Sequence, residues 1–253
     1  MEIHFSTYLI VCPLLFLAGF VDAISGGGGL ISLPAYLLAG LPMHQAIATN
    51  KLSSACGTTL ATLRFIKNGL VNLKLAIPSV ISAMIGSSIG ARLSLLTDES
   101  LMENLLFIVL PLAAFIVLNK NLFKDNENNS LLLNTKTYFV AIIAAFIIGM
   151  YDGFYGPGTG TFLIIAFTVW GKLNVSIANA QAKIINLTTN LTSLTIFLLN
   201  GQVLFSLGIA GAICNMIGGY LGAGLVMQQG SKIVKPVILF VLLLLFLKII
   251  GIF

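Results

Sequence analysis

Ten stretches dominated by apolar side chains run along the chain, at residues 6–24, 28–40, 46–66, 71–96, 101–119, 137–155, 158–170, 174–199, 203–227 and 233–253. A helix crossing the ~30 Å hydrocarbon layer needs about 20 residues. Eight of the ten are close to that length or longer. The other two, 28–40 and 158–170, are short, and each follows a glycine run. The first run lies in DAISGGGGLISLP, Asp22 to Pro34, and the second in DGFYGPGTGTFL, Asp152 to Leu163. Glycine costs backbone entropy and leaves peptide groups bare, which hydrocarbon tolerates only where protein or a polar cavity covers them. Each short segment is therefore a tilted span, half of a discontinuous helix, or the return limb of a re-entrant hairpin. The pattern predicts an all-α polytopic membrane protein with glycine-broken short helices.

The pattern also repeats. Gly19, Asp22, Gly26 and Gly28 match Gly149, Asp152, Gly156 and Gly158 at an offset of 130. After a two-residue insertion the offset is 132: Ala46 matches Ala178, Lys51 matches Lys183, and Asn68-Gly69 matches Asn200-Gly201. MetIleGly at 84–86 returns at 216–218, and Gly90-Ala91 returns as Gly222-Ala223. Chance does not keep an acid, a glycine cluster, a lysine and these pairs in one order twice, so the chain reads as a duplication. The expected organisation is a first transmembrane repeat at 1–120, a polar linker at 121–136 and a second repeat at 137–253.

Composition agrees. Apolar residues make up 58% of the 253 and charged ones 8%, where a soluble domain carries about a quarter charged. The formal charge of +5 sits in short loops and points to topology, not nucleic acid. With an odd number of crossings per half, Arg64, Lys67, Lys74, Lys120, Lys124, Lys136, Lys172, Lys232 and Lys235 share one side, opposed by Arg92 and Lys248. With an even number the split is seven to four. Positive charge gathers on the cytoplasmic side, which favours inverted repeats with both termini outside. The N-terminal stretch lacks a basic leader and a small-residue cleavage site, so it reads as a retained span. Cys12, Cys56 and Cys214 lie in apolar runs without CxxC spacing and read as small hydrophobes.

The chemistry concentrates in the third and eighth segments. At ~100° per residue, Lys51, Ser54 and Thr58 share a helix face, and Lys183, Asn186 and Asn190 occupy the equivalent one, with Gln181, Thr188 and Thr189 nearby. A cation on a polar stripe is costly against lipid and faces a cavity or the bundle interior. Helices starting at Leu30 and Thr161 would add bare N–H groups and positive dipole ends, a second attraction for an anion. Against this stand plainer readings. Lys51 and Lys183 either snorkel to the interface or pair with Asp22 and Asp152 as structural salt bridges. The two aspartates serve either proton coupling or helix capping. Gly86, Gly90, Gly218 and Gly222 fit close helix crossing.

The motifs DxxxGGGGLISLP with AIATNKLSS, and GMYDGFYGPGTGTFL with ANAQAKIINLTTN, resemble the paired signatures of the TauE/SafE sulfite exporter family, also called the sulfonate uptake permease family. The resemblance covers nearly the whole chain. It implies a carrier in the cell (plasma or inner) membrane moving sulfite, thiosulfate, sulfoacetate or a similar sulfonate. Carried over on the matching positions, the site comprises Gly26 to Gly29 (with Gly27 and Gly28 between), Pro34, Asn50, Lys51, Gly156, Pro157, Gly158, Gly160, Lys183, Asn186 and Asn190, to which the residue reading adds Ser54, Thr58 and Thr159. Gly27 stands where the second half has Pro157, so the two breaks are expected to differ in shape.

The expected function is a secondary transporter for a small anion, partnered by that substrate and the lipid bilayer, with no nucleic acid, no cofactor and homo-oligomerisation left open. No Walker motif points to ATP use. An intramembrane enzyme would want a His, Cys or carboxylate constellation, and the two histidines, His4 and His44, provide none. A metal-ion carrier would want more acids or soft ligands than Asp22 and Asp152. A carrier of other small organic anions, or a channel, shares this composition.

Overall fold

A computed structural model describes residues 5–102 and 134–230, with Lys232–Val234, Pro236, Val237 and Phe240 beyond them. Most of the expected linker 121–136, most of segments 101–119 and 233–253, and Lys120, Lys124, Lys235 and Lys248 lie outside the described residues. The regular structure that is described is helical: α1 (Phe5–Ser25), α2 (Gly29–Leu38), α3 (Met43–Lys67), α4 (Leu73–Leu96), α5 (Thr135–Phe154), α6 (Thr159–Val169), α7 (Val175–Leu199) and α8 (Phe205–Gln229). Helices α1, α4, α5, α7 and α8 are long and apolar enough to cross a membrane. Helix α3 is as long, at 25 residues, but carries the polar stripe. Helices α2 and α6, of 10 and 11 residues, reach only about 15–17 Å.

The chain starts several helices with an amide. The side chains of Asn72, Asn134 and Asn174 accept from the N–H groups of Leu75, Thr137 and Ile177, satisfying donors that a first turn leaves orphaned. The two halves match element by element. Adding 130 to Gly29 gives Thr159, and adding 132 to Met43 and Leu73 gives Val175 and Phe205. The turns at Gly69 and Gly201 share φ +67, a left-handed conformation that suits glycine.

Close packing of small residues holds the long helices together, since lipid supplies no hydrophobic drive between them. Gly86 and Gly90 of α4 lie on the Phe146 and Met150 carbonyls of α5, and Gly218 and Gly222 of α8 lie on the Phe16 and Phe20 carbonyls of α1. A Cβ at any of the four would overlap backbone, so the packing expectation holds. The outward faces of α4 and α8 expose Ile81, Ile85 and Ile89, and Ile209, Ile213 and Ile217, the spacing of a lipid-facing stripe.

These registers also give direction. Phe16 meets Gly218 and Phe20 meets Gly222, so α1 and α8 are parallel. Thr49 meets Leu204 and Arg64 meets Tyr220, so α3 joins them. Ser82 bonds Ile142 while Gly90 meets Met150, and Asn72 meets Gln181 while Ser87 meets Thr189, which makes α4, α5 and α7 parallel. Between the groups the order reverses: Ile24 contacts Asn179 while Asp22 contacts Lys183. Helices α1, α3 and α8 therefore run against α4, α5 and α7.

Each short helix doubles back on its predecessor. Gly28 lies against Ala18 and Asp22, and in the other half Thr159 bonds Asp152 while Phe162 packs on Tyr151 at 5.6 Å. Of the three options for segments 28–40 and 158–170, the hairpin limb is the one observed. The hairpin tips touch, with Gly26 packed on Gly160.

The breaks differ as the Gly27/Pro157 exchange implied. Gly26 and Gly156 both have positive φ, but Gly28 is right-handed at φ −57 while Gly158 is left-handed at φ +85.

Candidate functional site

Both lysines are buried, Lys51 at 1% exposure and Lys183 at 0%, so neither snorkels. Their partners are exchanged between the halves. Lys51 Nζ of the first half lies 2.8 Å from Asp152 Oδ2 of the second, and Lys183 Nζ of the second lies 2.7 Å from Asp22 Oδ2 of the first. The pairing follows from the hairpins. Each presents its aspartate near its tip, and the tips meet between α3 and α7, which carry the lysines. Breaking one buried pair leaves a naked charge and costs about 3–5 kcal/mol.

A cavity of about 20 Å³ lies among the pairs, lined by Asp22, Gly26, Gly29, Asn50, Lys51 and Ser54 from one half and Asp152, Gly156, Asn186 and Asn190 from the other. That is room for roughly one water, so the space holds less than a substrate. Ser54 donates to Asn50 Oδ1 at 3.2 Å, and Asn190 donates to Asn186 Oδ1 at 2.6 Å. These bonds orient two amide groups whose nitrogens, on Asn50 and Asn186, have no acceptor among the described residues. The Lys51 ammonium and two amide donors around one space, with the Lys183 ammonium behind Asp22, suit an oxyanion.

Other predicted positions stand off the cavity wall. Lys183 is reached only through Asp22. Thr58 is buried within α3, and Gly28 and Gly160 serve backbone packing. Pro157 contributes its carbonyl to the Tyr151 hydroxyl. Neither Gly27 nor Gly158 lines the space. Thr159 holds Asp152 Oδ1 at 2.7 Å. Gln181 donates to Asn72 O, and Thr188 and Thr189 bond back to their own helix. Pro34 lies inside α2.

The expected helix starts at Leu30 and Thr161 need correction: α2 begins at Gly29 and α6 at Thr159. They are not two open anion sites either. The Thr161 N–H donates to Gly26 O at 3.3 Å and its hydroxyl to Ser25 O at 2.8 Å, so the end of α1 covers the start of α6. At the start of α2 the Leu30 and Ile31 N–H groups donate to the Gly27 and Gly28 carbonyls at 3.1 and 2.9 Å, and Gly29 stands on the cavity wall.

Asn179 escapes the sequence reading although it holds two carbonyls at the end of α1, Ala23 O at 3.1 Å and Ile24 O at 2.9 Å. Asn215, buried in α8 against Gly19 and Gly57, escapes it as well. A lone amide inside an apolar helix is the signal that marks both.

Comparison with known proteins bears on the whole chain. The family model "Sulfite exporter TauE/SafE" matches residues 11–249. A probable membrane transporter protein of Haemophilus influenzae is 34% identical over 239 residues, covering 94% of this chain and 92% of its own. The probable membrane transporter ORF9 of Sinorhizobium sp is 32% identical over 249 residues, with 98% and 93% covered. The probable membrane transporter YfcA of Escherichia coli K12 is 32% identical over 248 residues, with 94% and 90% covered. No solved structure matches. A match running from α1 to beyond α8, through both glycine breaks and both buried lysines, is decisive: this multi-pass membrane protein belongs to the TauE/SafE sulfite exporter family.

Proposed function

We propose that the chain is a secondary carrier, not an enzyme, for a small sulfur-containing anion such as sulfite, thiosulfate, a sulfonate or a sulfoacetate-like compound. The observation that carries this reading is the crosswise pair of Lys–Asp ion pairs beside one small polar cavity. An anion entering there finds the Lys51 ammonium and the Asn50 and Asn186 amides. Lys51, Lys183, Asn50, Ser54, Asn186, Asn190, Gly26, Gly29 and Gly156 form the proposed site. Both acids are already engaged by ammonium groups, leaving no surplus negative charge for a metal cation. A space of about 20 Å³, narrower than a substrate path, argues for alternating access over an open channel.

The same proposal takes the halves as inverted repeats. Opposed directions of α1 and α5 support it. So does the charge distribution, since those directions put Arg64, Lys67, Lys74, Lys136, Lys172 and Lys232 at one end and Arg92 at the other. The basic end is then cytoplasmic. A cysteine replacing Asn200 is expected to react with an impermeant reagent from outside, and one replacing Lys67 only from inside. Labelling of both from one side would remove the inversion.

Purified protein warmed with sulfite, thiosulfate and carboxylates is expected to gain thermal stability with the sulfur anions, because a ligand of the folded state raises the melting point. Stabilisation by carboxylates alone would move the substrate to another anion class.

A further inference from the structure

The two carboxylates of the site are not equivalent. Asp152 has a neighbour at each oxygen: Oδ2 forms an ion pair with Lys51 at 2.8 Å, and Oδ1 lies 2.7 Å from the Thr159 hydroxyl, which is equally close to Gly156 O; its side chain is 3% exposed. Asp22 meets Lys183 through Oδ2 alone. Its Oδ1 has no donor among the described residues, and its side chain is 16% exposed and lines the cavity. The reason lies in the repeat: the position matching Thr159 is Gly29 (159 − 130 = 29), which has no hydroxyl. Asp22 therefore stands between Lys183 and the space an anion would enter, whereas Lys51 lines that space itself.

Charge counting follows. Two lysines and two aspartates sum to zero. A bound monoanion would bring the site to −1 in a low-dielectric interior, which is expensive. One proton on Asp22 restores zero and releases the Lys183 ammonium to the anion. The charged groups around Asp22 are Lys183 on α7, Lys51 on α3 and Asp152 on α5. Helices α2, α6 and α8 contain no charged residue.

We propose that Asp22 is the coupling carboxylate, taking one proton with each monoanion so that the loaded site is electroneutral, while Asp152, pinned by Thr159, remains ionised and positions Lys51. This rests on the anion-carrier reading above. The proton comes from the aqueous phase on the side of entry, binds Asp22 Oδ1 and leaves with the substrate on the other side.

The test uses the full chain in liposomes and 2-hydroxyethanesulfonate, a fixed monoanion across the neutral range. Uptake by the unaltered protein is expected to follow an imposed pH gradient, accumulating substrate up to about tenfold per pH unit, and to ignore a potassium–valinomycin potential. In Asp22→Asn the substrate crosses without its proton, so whatever flux remains loses its pH drive and responds to the potential. In Asp152→Asn, remaining flux keeps the pH drive. The dianion thiosulfate, carried with the same single proton, responds to both gradients.

Potential-driven and pH-indifferent uptake of the monoanion by the unaltered protein overturns the inference, as does a pH drive that survives in Asp22→Asn. If Asp22→Asn does not fold, the proton-to-substrate ratio of the unaltered protein decides, one supporting the inference and zero overturning it. Exchange at equal pH of neither anion by the unaltered protein removes the sulfur-anion reading first, and the coupling falls with it. Exchange without pH-driven accumulation removes the coupling alone.

Discussion

The closures at the two ends of the site use different chemistry on one scaffold. Toward the end where α3 and α8 finish, the last three carbonyls of α1 and that of Gly26 accept four hydrogen bonds. Two come from the Thr161 backbone and hydroxyl, and two from the Asn179 amide. At the opposite end the matching positions are Ile31 (161 − 130) and Ile47 (179 − 132). Ile47 packs in an apolar cluster with Tyr155 and Ala48. Duplication kept the glycines and lysines that build the site and let the seams diverge. Inside a membrane a side-chain hydrogen bond between helices averages about 0.6 kcal/mol, so the three side-chain bonds give the polar seam roughly 2 kcal/mol over van der Waals contact. The seam at Ile31 and Ile47, whose side chains have no donor to offer, is thus the one expected to part first.

The largest expected effect tests what the halves share. Lys51→Ala strands the buried Asp152 and is expected to lower stability by about 3–5 kcal/mol. Lys183→Ala strands the partly buried Asp22 and is expected to cost less. Both are expected to abolish or strongly weaken anion flux, while the protein still inserts. Removing both members of a pair is expected to restore part of the stability without the flux. Full flux in both single variants would take the lysines out of the site, and unequal losses of flux would extend the asymmetry of the seams into the pairs.

A middle-sized effect acts on the seams. Asn179→Leu with Thr161→Val is expected to cost about 2 kcal/mol and to expose the cavity from the basic end. A single cysteine at Ser54, with Cys12, Cys56 and Cys214 replaced, would report this by faster labelling from that side. Ile47→Asn should do the converse and slow labelling from the other side. Unchanged accessibility in both variants would reduce the seam difference to a packing detail.

The smallest effects concern turns where the halves agree. Gly69→Ala and Gly201→Ala meet open space but require φ +67, so each is expected to cost about 1 kcal/mol with equal melting shifts. Gly26→Ala combines positive φ with the Gly160 backbone and is expected to cost several times more. Equal shifts at Gly26 and Gly69 would mean that the hairpin tips do not press together.

Much of this was legible along the chain because the penalties are local. A lysine eight residues into α3, or a glycine run in an apolar segment, declares itself wherever it packs, and the offsets of 130 and 132 anticipated the helix starts of the second half. Predicting open starts at both α2 and α6 failed at Thr161. Its N–H and hydroxyl meet the end of α1 from the other half, a partner 136 residues away for the hydroxyl. Asn179 was passed over for the same reason, since an amide shows no preferred acceptor until the hairpin tip arrives beside it.

Membrane residence, duplication and the set of residues that must turn inward were settled by the sequence alone, because each follows from the cost of putting one kind of group into hydrocarbon. Only the tertiary structure decided that each lysine takes the other half's aspartate, that Gly29 leaves Asp22 less restrained than Asp152, and where Thr161 and Asn179 place their hydrogen bonds. Those outcomes depend on how two hairpins cross in the middle of a bundle, and nothing local to Asp22 or Lys183 encodes the crossing.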